Sequence, residues 1–395
     1  MNTTKDKQFT FQGISYPVNP VQSDLVPSSD NFLKGSLNNK VLKSMMANIN
    51  LNIPTLLVGP TGCGKTATVR WLASQTNNSY RRIQLNGSTN IDNFVGKWLI
   101  NEQGTYWEDG ILTDAMQKGH WLLLDEINAA LPEILFVLNS ILDDDKCLIL
   151  DDKGKEVVKP HPDFRLFAAM NPWQEYAGTK ELNRAQMDRF TIVNYKYPPP
   201  KSEAKIVEKH SKIEMSLGVV KDGDRGVIER MVELANIIRE KNKNSEFVSV
   251  CSTRQLIQWA KLSEFLDIKH SAELTIINKS DIEEQSMVKD ELNKLFKDKE
   301  NLEDHRTRAE NEKKKVIEKK KFTLEEEVLE SDVTVEDSVI GVDLGDTTVD
   351  VELLKAKNIA SEALESSADS VRFETETDPI LEDLGEEEIE FIDNY

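Results

Sequence analysis

A glycine-rich octapeptide directly behind a short apolar run constrains this chain more than any other feature. The apolar run is residues 55–58 (TLLV). The octapeptide that follows it reads Gly59-Pro60-Thr61-Gly62-Cys63-Gly64-Lys65-Thr66. The pattern G-x-x-x-x-G-K-T after a strand predicts a loop whose backbone N–H groups converge on phosphate oxygens. The helix predicted from Ala67 to Ala73 would point its N-terminal amides at the same anion. The alternative is a glycine-rich turn that merely precedes a helix.

The residue types of this loop predict its chemistry. Lys65 supplies a positive charge at the terminal phosphates, and the Thr66 hydroxyl can ligate Mg²⁺. The candidate nucleotide-binding residues therefore run from Gly59 to Ala67, with Thr66 as a candidate metal ligand.

Two further apolar runs end in polar groups. Residues 120–126 (HWLLLDE) are typical of a buried parallel strand that carries two acids to its end. Asp125 would bind the nucleotide's Mg²⁺ through water, and Glu126 would orient or deprotonate the attacking water. Residues 164–170 (FRLFAAM) lead to Asn171, whose amide suits the positioning of that water. Solvated strand ends are the alternative, which the combination with Lys65 disfavours.

These motifs together resemble those of the AAA+ ATPases, and within them the MoxR-like group and its dynein and midasin relatives. The matching segments are residues 59–66, 122–128 (LLLDEIN), 161–172 (HPDFRLFAAMNP), 176–190 (YAGTKELNRAQMDRF) and 252–256 (STRQL). The resemblance covers about residues 20–265. It implies an α/β fold, a P-loop AAA+ core with a parallel sheet and flanking helices, plus a small all-α lid. It also implies ATP and Mg²⁺ as cofactors.

The resemblance assigns roles to three arginines. Arg189 matches the finger that reaches the γ-phosphate of a neighbouring subunit, and Arg184 is a nearby alternative or a second phosphate contact. A surface ion pair is the simpler interpretation of either one. Arg254 falls in the first turn of a helix capped by residues 252–253, where a cation is unfavourable unless it faces a phosphate. It matches the second sensor of the family.

One further switch residue is expected on the second strand. Asn86 follows residues 81–85 and matches the position at which AAA+ proteins often hold the catalytic glutamate inactive until a partner binds. Asn86 can equally be a simple strand cap, since Asn favours such ends.

Two hairpins are predicted within the α/β core. Residues 88–119 correspond to an insert that in MoxR-like relatives projects towards the pore or a partner. Its tryptophans, Trp98 and Trp107, suit contact with a polypeptide, or they merely pack the hairpin on itself. Residues 147–158 (CLILDDKGKEVV) alternate around a central turn and predict the second hairpin.

The charge of the chain is concentrated at one end. The formal net charge is −20, but residues 322–395 hold 24 acidic and 3 basic residues, a balance of −21 that leaves +1 for the rest. Bulk charge therefore gives no case for DNA binding by the folded part. The acidic tail either folds onto a partner or only solubilises the chain.

The motifs, the helical patterns, the composition and the family resemblance together suggest five segments. These are an N-terminal extension (1–40), an α/β nucleotide-binding core (41–200), a helical lid (201–268), a charged helical linker (269–321) and an acidic, largely disordered tail (322–395).

Cysteines and hydropathy bear on the cellular compartment. Cys63, Cys147 and Cys251 are too widely spaced to suggest a disulfide framework or a zinc site. No apolar run approaches the ~20 residues that span a bilayer, and residues 1–10 lack the apolar core of a signal peptide. We expect a cytoplasmic protein without a membrane partner.

Because Cys63 lies inside the phosphate loop, we also expect alkylation or oxidation to block nucleotide binding.

The features together predict a Mg²⁺-dependent ATP hydrolase that assembles with itself into a ring, most simply a hexamer, and remodels a protein client. By resemblance alone, that client carries a von Willebrand factor A domain. The first alternative is a DNA-dependent translocase. Two observations disfavour it: the folded part is nearly neutral, and Lys97 is the only basic residue of the insert before Lys118. The second alternative is a nucleotide-gated scaffold, which has no use for a hydrolytic Glu126.

Overall fold

The computed structural model describes residues 7–28, 32, 39–143, 145–172, 182–219, 225–298, 300–311, 314, 315, 317, 342–343 and 348–349. The chain divides into two units, residues 1–315 and 316–395. The second unit contains a short antiparallel pair of strands, Val342–Asp343 and Thr348–Val349. All other elements considered below belong to the first unit. The rest of the predicted acidic tail lies outside the described residues.

The first unit begins with a small antiparallel hairpin and a helix. The hairpin strands are β1 (Gln8–Phe11) and β2 (Ile14–Pro17), and the helix α1 spans Asn39–Leu51. Phe11 and Tyr16 of the hairpin are buried against the α/β core. The N-terminal segment therefore forms part of the packed structure around the sheet.

A five-stranded parallel sheet forms the centre of the α/β core. Its strands are β3 (Thr55–Val58), β4 (Tyr80–Gln84), β7 (Trp121–Asp125), β10 (Arg165–Met170) and β11 (Thr191–Asn194). They lie in the order β11-β3-β10-β7-β4, and every pairing is parallel. The predicted P-loop α/β architecture is confirmed, and the carboxyl ends of β3, β7 and β10 are neighbours.

Helices cover both faces of the sheet. The principal ones are α2 (Lys65–Gln75), α4 (Ile111–Lys118) and α5 (Pro132–Leu142), with short helices α3 (Ile91–Phe94) and α6 (Arg184–Met187). Alternate residues of β7 face opposite sides, so Leu122 and Leu124 pack with α4 and α5, whereas Leu123 packs with α1 and α2. Burial on both faces explains why the strands read as continuous apolar runs.

Both predicted hairpins are present. β5 (Gly96–Asn101) pairs with β6 (Gly104–Asp109), and β8 (Leu148–Leu150) pairs with β9 (Glu156–Val158). The Trp98 and Trp107 rings pack edge to face with centroids 5.6 Å apart. Trp98 Nε1 also donates a hydrogen bond of 2.9 Å to the carbonyl oxygen of Asp152, which links the two hairpins.

The helical lid extends further than the sequence predicts. Its helices are α7 (Pro200–His210), α8 (Val227–Lys243), α9 (Thr253–Leu262), α10 (Ile268–Thr275) and α11 (Ile282–Leu295). Val288, Leu292 and Phe296 are buried in the same apolar cluster as α8 and α9. The boundary at residue 268 and the linker beginning at 269 are therefore wrong for α10 and α11, because their apolar residues complete the lid core.

Among the residues that the structure describes, no helix is both long enough and apolar enough to span a membrane.

Candidate functional site

A cavity of about 580 Å³ opens where the carboxyl ends of the central strands meet the lid. On the sheet side it is lined by the glycine-rich loop and by the ends of β4, β7 and β10. On the lid side it is lined by α7 and α9. The predicted residues that line it are Thr61, Gly62, Cys63, Gly64, Lys65, Thr66, Ala67, Asp125, Glu126, Asn171 and Arg254.

The loop after β3 has the backbone geometry of an anion cradle. Gly62 and Gly64 adopt φ values of +68° and +100°, in the left-handed region that favours glycine. A side chain at Gly62 would approach Ser252 Cβ to 3.0 Å, so this glycine also permits close packing of the lid. The loop leads directly into α2, whose first residue is Lys65. Its amides and the helix N-terminus therefore face the same space.

Lys65 connects the loop to the end of β10. Its Nζ donates hydrogen bonds to the carbonyl oxygens of Gly59 (2.5 Å) and Pro60 (2.9 Å) and to Asn171 Oδ1 (2.9 Å). Burial lowers the pKa of Lys65, and the nearby Cys63 and Asp125 oppose that shift. The ammonium group thus lies between the loop and the predicted water-positioning amide.

The two acids at the end of β7 point to different partners. Asp125 Oδ2 accepts hydrogen bonds from Arg82 Nε (2.9 Å) and Nη2 (2.6 Å), and lies 3.3 Å from Thr66 Oγ1. Glu126 is in the left-handed conformation at φ 57°, an uncommon one for a non-glycine residue. Its Oε2 accepts a hydrogen bond of 3.0 Å from Gln84 Nε2.

Asn86 does not contact Glu126. Its Oδ1 accepts a hydrogen bond from the backbone N–H of Ser88 (2.8 Å), and its own N–H donates to Thr89 Oγ1 (2.9 Å). This is the capping alternative, so the switch assignment to Asn86 is wrong in this structure. Gln84 makes the contact because β4 ends at Gln84, which pairs with Asp125 in the sheet register.

Arg254 is placed at the cavity by the start of α9. Ser252 caps this helix and forms a reciprocal capping box with Gln255. Arg254 is exposed and lines the cavity opposite the phosphate loop. A cation is unfavourable beside the positive end of a helix unless it faces an anion, and the predicted sensor role supplies that anion as a phosphate.

Arg184 and Arg189 lie away from the cavity of their own chain. Arg189 Nε forms a 2.6 Å ion pair with Asp143 Oδ1, and its Nη1 donates to the carbonyl oxygen of Ala185. Arg184 is exposed at the start of α6, and its side chain makes no hydrogen bond or ion pair with another described residue. Any contact of either arginine with nucleotide therefore has to be made across an interface.

Cys63 is less accessible than its position in the loop suggests. Its side chain is buried, and burial raises the pKa of its thiol, with Lys65 acting in the opposite direction. A buried, protonated thiol is a poor nucleophile. The expectation that modification of Cys63 readily blocks the site is therefore not supported.

Sequence reasoning missed the cavity residues on β4 and the lid. Arg82 and Gln84 are two positions apart, so strand alternation places both on one face, and this signal was readable. Phe32, Ile206, His210 and Ile257 also line the cavity. No local motif marks these four residues.

The oxygens near the loop fit a hydrated magnesium ion. The Thr66 hydroxyl and the Asp125 carboxylate are hard oxygen donors 3.3 Å apart. Within the described residues, no cluster of three or more His, Cys, Asp or Glu side chains can hold a metal ion. A divalent cation here would therefore complete its shell with water and phosphate oxygens, the arrangement that Mg²⁺ prefers.

This parallel sheet, phosphate loop and helical lid define a P-loop nucleotide-binding protein. Residues 54–190 match the AAA domain of the dynein-related subfamily, and residues 203–298 match the CbbQ/NirQ/NorQ C-terminal domain. The second match ends well past residue 268, in agreement with the extended lid.

Three relatives illustrate the range of the similarity. The aerobic cobaltochelatase subunit CobS of Sinorhizobium is 32% identical over 64% of this chain and 78% of its own length. Protein CbbQ of Hydrogenophilus thermoluteolus is 33% identical over 52% of this chain and 72% of its own. Midasin of Dictyostelium discoideum is 38% identical over 47% of this chain, but the match spans only 3% of midasin. The chain belongs to the MoxR-like AAA+ ATPases.

Proposed function

We propose that this protein hydrolyses Mg²⁺-ATP within a homo-oligomeric ring, most simply a hexamer, and uses the energy to remodel a protein partner. The observation that carries the proposal is the convergence of Lys65, Asp125, Glu126 and Asn171 on one cavity. A protein that only bound nucleotide would need the first two of these groups but not the others.

Each residue has a defined task in this proposal. The loop amides and Lys65 bind the phosphates, and Thr66 and Asp125 would hold Mg²⁺, which when bound neutralises charge on the phosphate oxygens. Glu126 orients a water molecule and accepts its proton, provided that its carboxylate leaves Gln84. Asn171, whose Oδ1 accepts a hydrogen bond from Lys65, orients the same water in this proposal. Arg254 adds positive charge from the lid side.

One part of the cavity lining supports a preference for adenine. Phe32, Ile206 and Ile257 supply apolar surface there, and His210 Nδ1 donates a 2.9 Å hydrogen bond to the carbonyl oxygen of Ile206. A neutral imidazole with its proton on Nδ1 presents Nε2 as an acceptor. That acceptor can pair with the amino group of adenine but not with the carbonyl oxygen of guanine. Replacement of His210 by Leu should therefore reduce the preference for ATP over GTP, measured as the ratio of the two binding affinities.

The positions of the arginines support a ring. Arg189 and Arg184 are outside the cavity of their own chain, so they can stabilise phosphoryl transfer only in a neighbouring subunit. Subunit mixing tests this. Lys65→Ala and Arg189→Ala should each be inactive alone, whereas an equal mixture should regain activity at roughly a quarter of the interfaces of a head-to-tail ring. Rescue with Arg184→Ala instead would assign the finger to Arg184.

Exposed apolar side chains on the β5–β6 hairpin support a protein client. Trp98, Ile100 and Tyr106 are 51%, 82% and 42% exposed, and aromatic residues are frequent anchors at protein interfaces. The relative CobS is by name one subunit of a larger enzyme. A partner with a von Willebrand factor A domain is proposed from the resemblance to MoxR-like proteins.

The decisive experiment measures ATP turnover against protein concentration. Specific activity should rise steeply with concentration, fall about 10²- to 10⁴-fold in Glu126→Gln and remain near wild type in Glu133→Gln, an exposed glutamate on α5. Double-stranded DNA should have no effect. Strong stimulation by DNA would favour a translocase, and absence of turnover with intact nucleotide binding would favour a scaffold.

A further inference from the structure

Arg82 makes a contact that the proposed hydrolytic cycle does not use. Its guanidinium group donates two hydrogen bonds, from Nε and Nη2, to a single oxygen, Oδ2 of Asp125. The side chain of Asp125 is only 13% exposed, whereas that of Arg82 is 45% exposed and lines the nucleotide cavity. The acid is therefore fixed in place while the arginine has room to move.

The oxygen that Arg82 contacts is the one that faces the phosphate loop. Asp125 Oδ2 lies 3.3 Å from Thr66 Oγ1, while Oδ1 accepts a hydrogen bond from the backbone N–H of Glu126. A hydrated Mg²⁺ held between Thr66 and Asp125 needs the lone pairs of Oδ2. It would also stand beside the guanidinium charge, and like charges at such a short distance repel.

We propose that Arg82 and Mg²⁺ compete for Oδ2 of Asp125, so that Arg82 sets the Mg²⁺ concentration that the nucleotide site requires. The inference rests on the proposed Mg²⁺-nucleotide site. Arg82 is here a positioning residue, since it acts on the metal through Asp125. When Mg²⁺ is bound, the displaced guanidinium swings into the cavity, where phosphate oxygens are its best available partners.

The geometry of β4 links this contact to the catalytic glutamate. Gln84, two residues after Arg82, lies on the same face of the strand and donates to Glu126. The end of β4 therefore contacts both acids of β7 in the same state. Arg81, the residue before Arg82, lies on the opposite face of β4, where it pairs with Asp114 at 3.4 Å. Arg81 is consequently a matched control with the same charge, the same strand and a similar exposure.

The test is a Mg²⁺ titration of nucleotide binding with the full chain. A fluorescent ADP analogue is bound at fixed concentration while Mg²⁺ is raised from a chelated baseline, and the half-saturating Mg²⁺ concentration is read without any turnover. Arg82→Gln should lower this concentration by about fivefold, the scale of a partly exposed charge pair. The half-saturating Mg²⁺ concentration of Arg82→Lys, which keeps the charge, should lie between those of Arg82→Gln and wild type. That of Arg81→Gln should match wild type.

The results separate this inference from the function on which it rests. An unchanged or raised Mg²⁺ requirement in Arg82→Gln, with normal nucleotide binding at saturating Mg²⁺, would overturn the competition alone. An equal fall in the Mg²⁺ requirement of Arg81→Gln would also overturn the competition, because the effect would then reflect the loss of any positive charge from β4. Failure of the wild-type chain to bind the analogue at any Mg²⁺ concentration would overturn the proposed function and this inference with it.

Discussion

The side-chain amide nitrogen of Gln84 lies 3.0 Å from Oε2 of Glu126, so the last residue of β4 holds the carboxylate that directly follows β7. This hydrogen bond occupies one carboxylate oxygen of Glu126 and turns the group towards β4, the edge strand of the sheet. We expect this contact to restrain hydrolysis until another interaction releases Glu126.

Replacement of Gln84 by Ala should raise the basal rate of ATP turnover. A hydrogen bond to a charged group at an exposed site contributes roughly 1 kcal/mol. Its loss would lower the activation free energy by that amount and raise the rate about fivefold. Steady-state phosphate release by the purified chain measures the change. Asn86→Ala is the control and should leave the rate unaltered, since Asn86 caps its own turn. A lower rate in Gln84→Ala would mean that Gln84 positions Glu126 for catalysis.

The buried ion pair at the base of the lid should be sensitive to the loss of either partner. Glu203 is fully buried, and its two oxygens accept hydrogen bonds of 2.7 Å from Arg239 and a further one from Thr253. Glu203→Gln should lower the free energy of unfolding by about 3 kcal/mol, because it leaves a buried guanidinium without its counter-charge.

Denaturant titration with a double variant checks that explanation. Glu203→Met combined with Arg239→Met should be less destabilised than the sum of the single changes, since no unpaired charge remains. Lys294→Met, which removes a surface pair with Glu291, should change stability by no more than ~0.5 kcal/mol. Strictly additive losses for the double variant would contradict the argument.

The three cysteines should differ sharply in their reaction with iodoacetamide. Burial raises the pKa of Cys251 to about 12 and also raises that of Cys63, so both are protonated at neutral pH. Cys147 is partly exposed. Peptide mass mapping of the native protein should show modification of Cys147 first, and the denatured chain should be modified at all three positions. Rapid native labelling of Cys63 would show that the loop opens more readily than this packing allows.

Glu300 should make the stability of the lid depend on pH in the acidic range. Burial opposes its ionisation, but hydrogen bonds from His305 and Arg230 outweigh that effect and lower the pKa of Glu300 to about 2. A carboxyl whose pKa is lower in the folded state stabilises the fold above its unfolded pKa, about 4.3. That contribution is lost as the pH falls from there towards 2.

Glu300→Gln should therefore cost roughly 2 to 3 kcal/mol at neutral pH and progressively less below pH ~4. Denaturant titrations of wild type and variant at several pH values measure the difference. Glu303→Gln, at an exposed neighbouring position, should show no such pH dependence. A difference that stays constant down to low pH would assign the loss to packing and not to charge.

The amino-acid sequence by itself determined where the central strands lie in the chain and which chemical groups stand at their ends. Lys65, Asp125 and Asn171 each follow a buried apolar run, and the ends of neighbouring parallel strands must meet at one edge. These features are local, because loop spacing and strand periodicity are properties of adjacent residues. The nucleotide-binding core could therefore be predicted without coordinates.

Only the tertiary structure decided which distant residues face that edge. The pairing of β4 with β7 selects Gln84 instead of Asn86 as the partner of Glu126, and it brings Arg82 to Asp125. Packing between helices adds α11 to the lid although its surface is highly charged. Register and burial depend on contacts between segments far apart in the chain, and no local pattern encodes them.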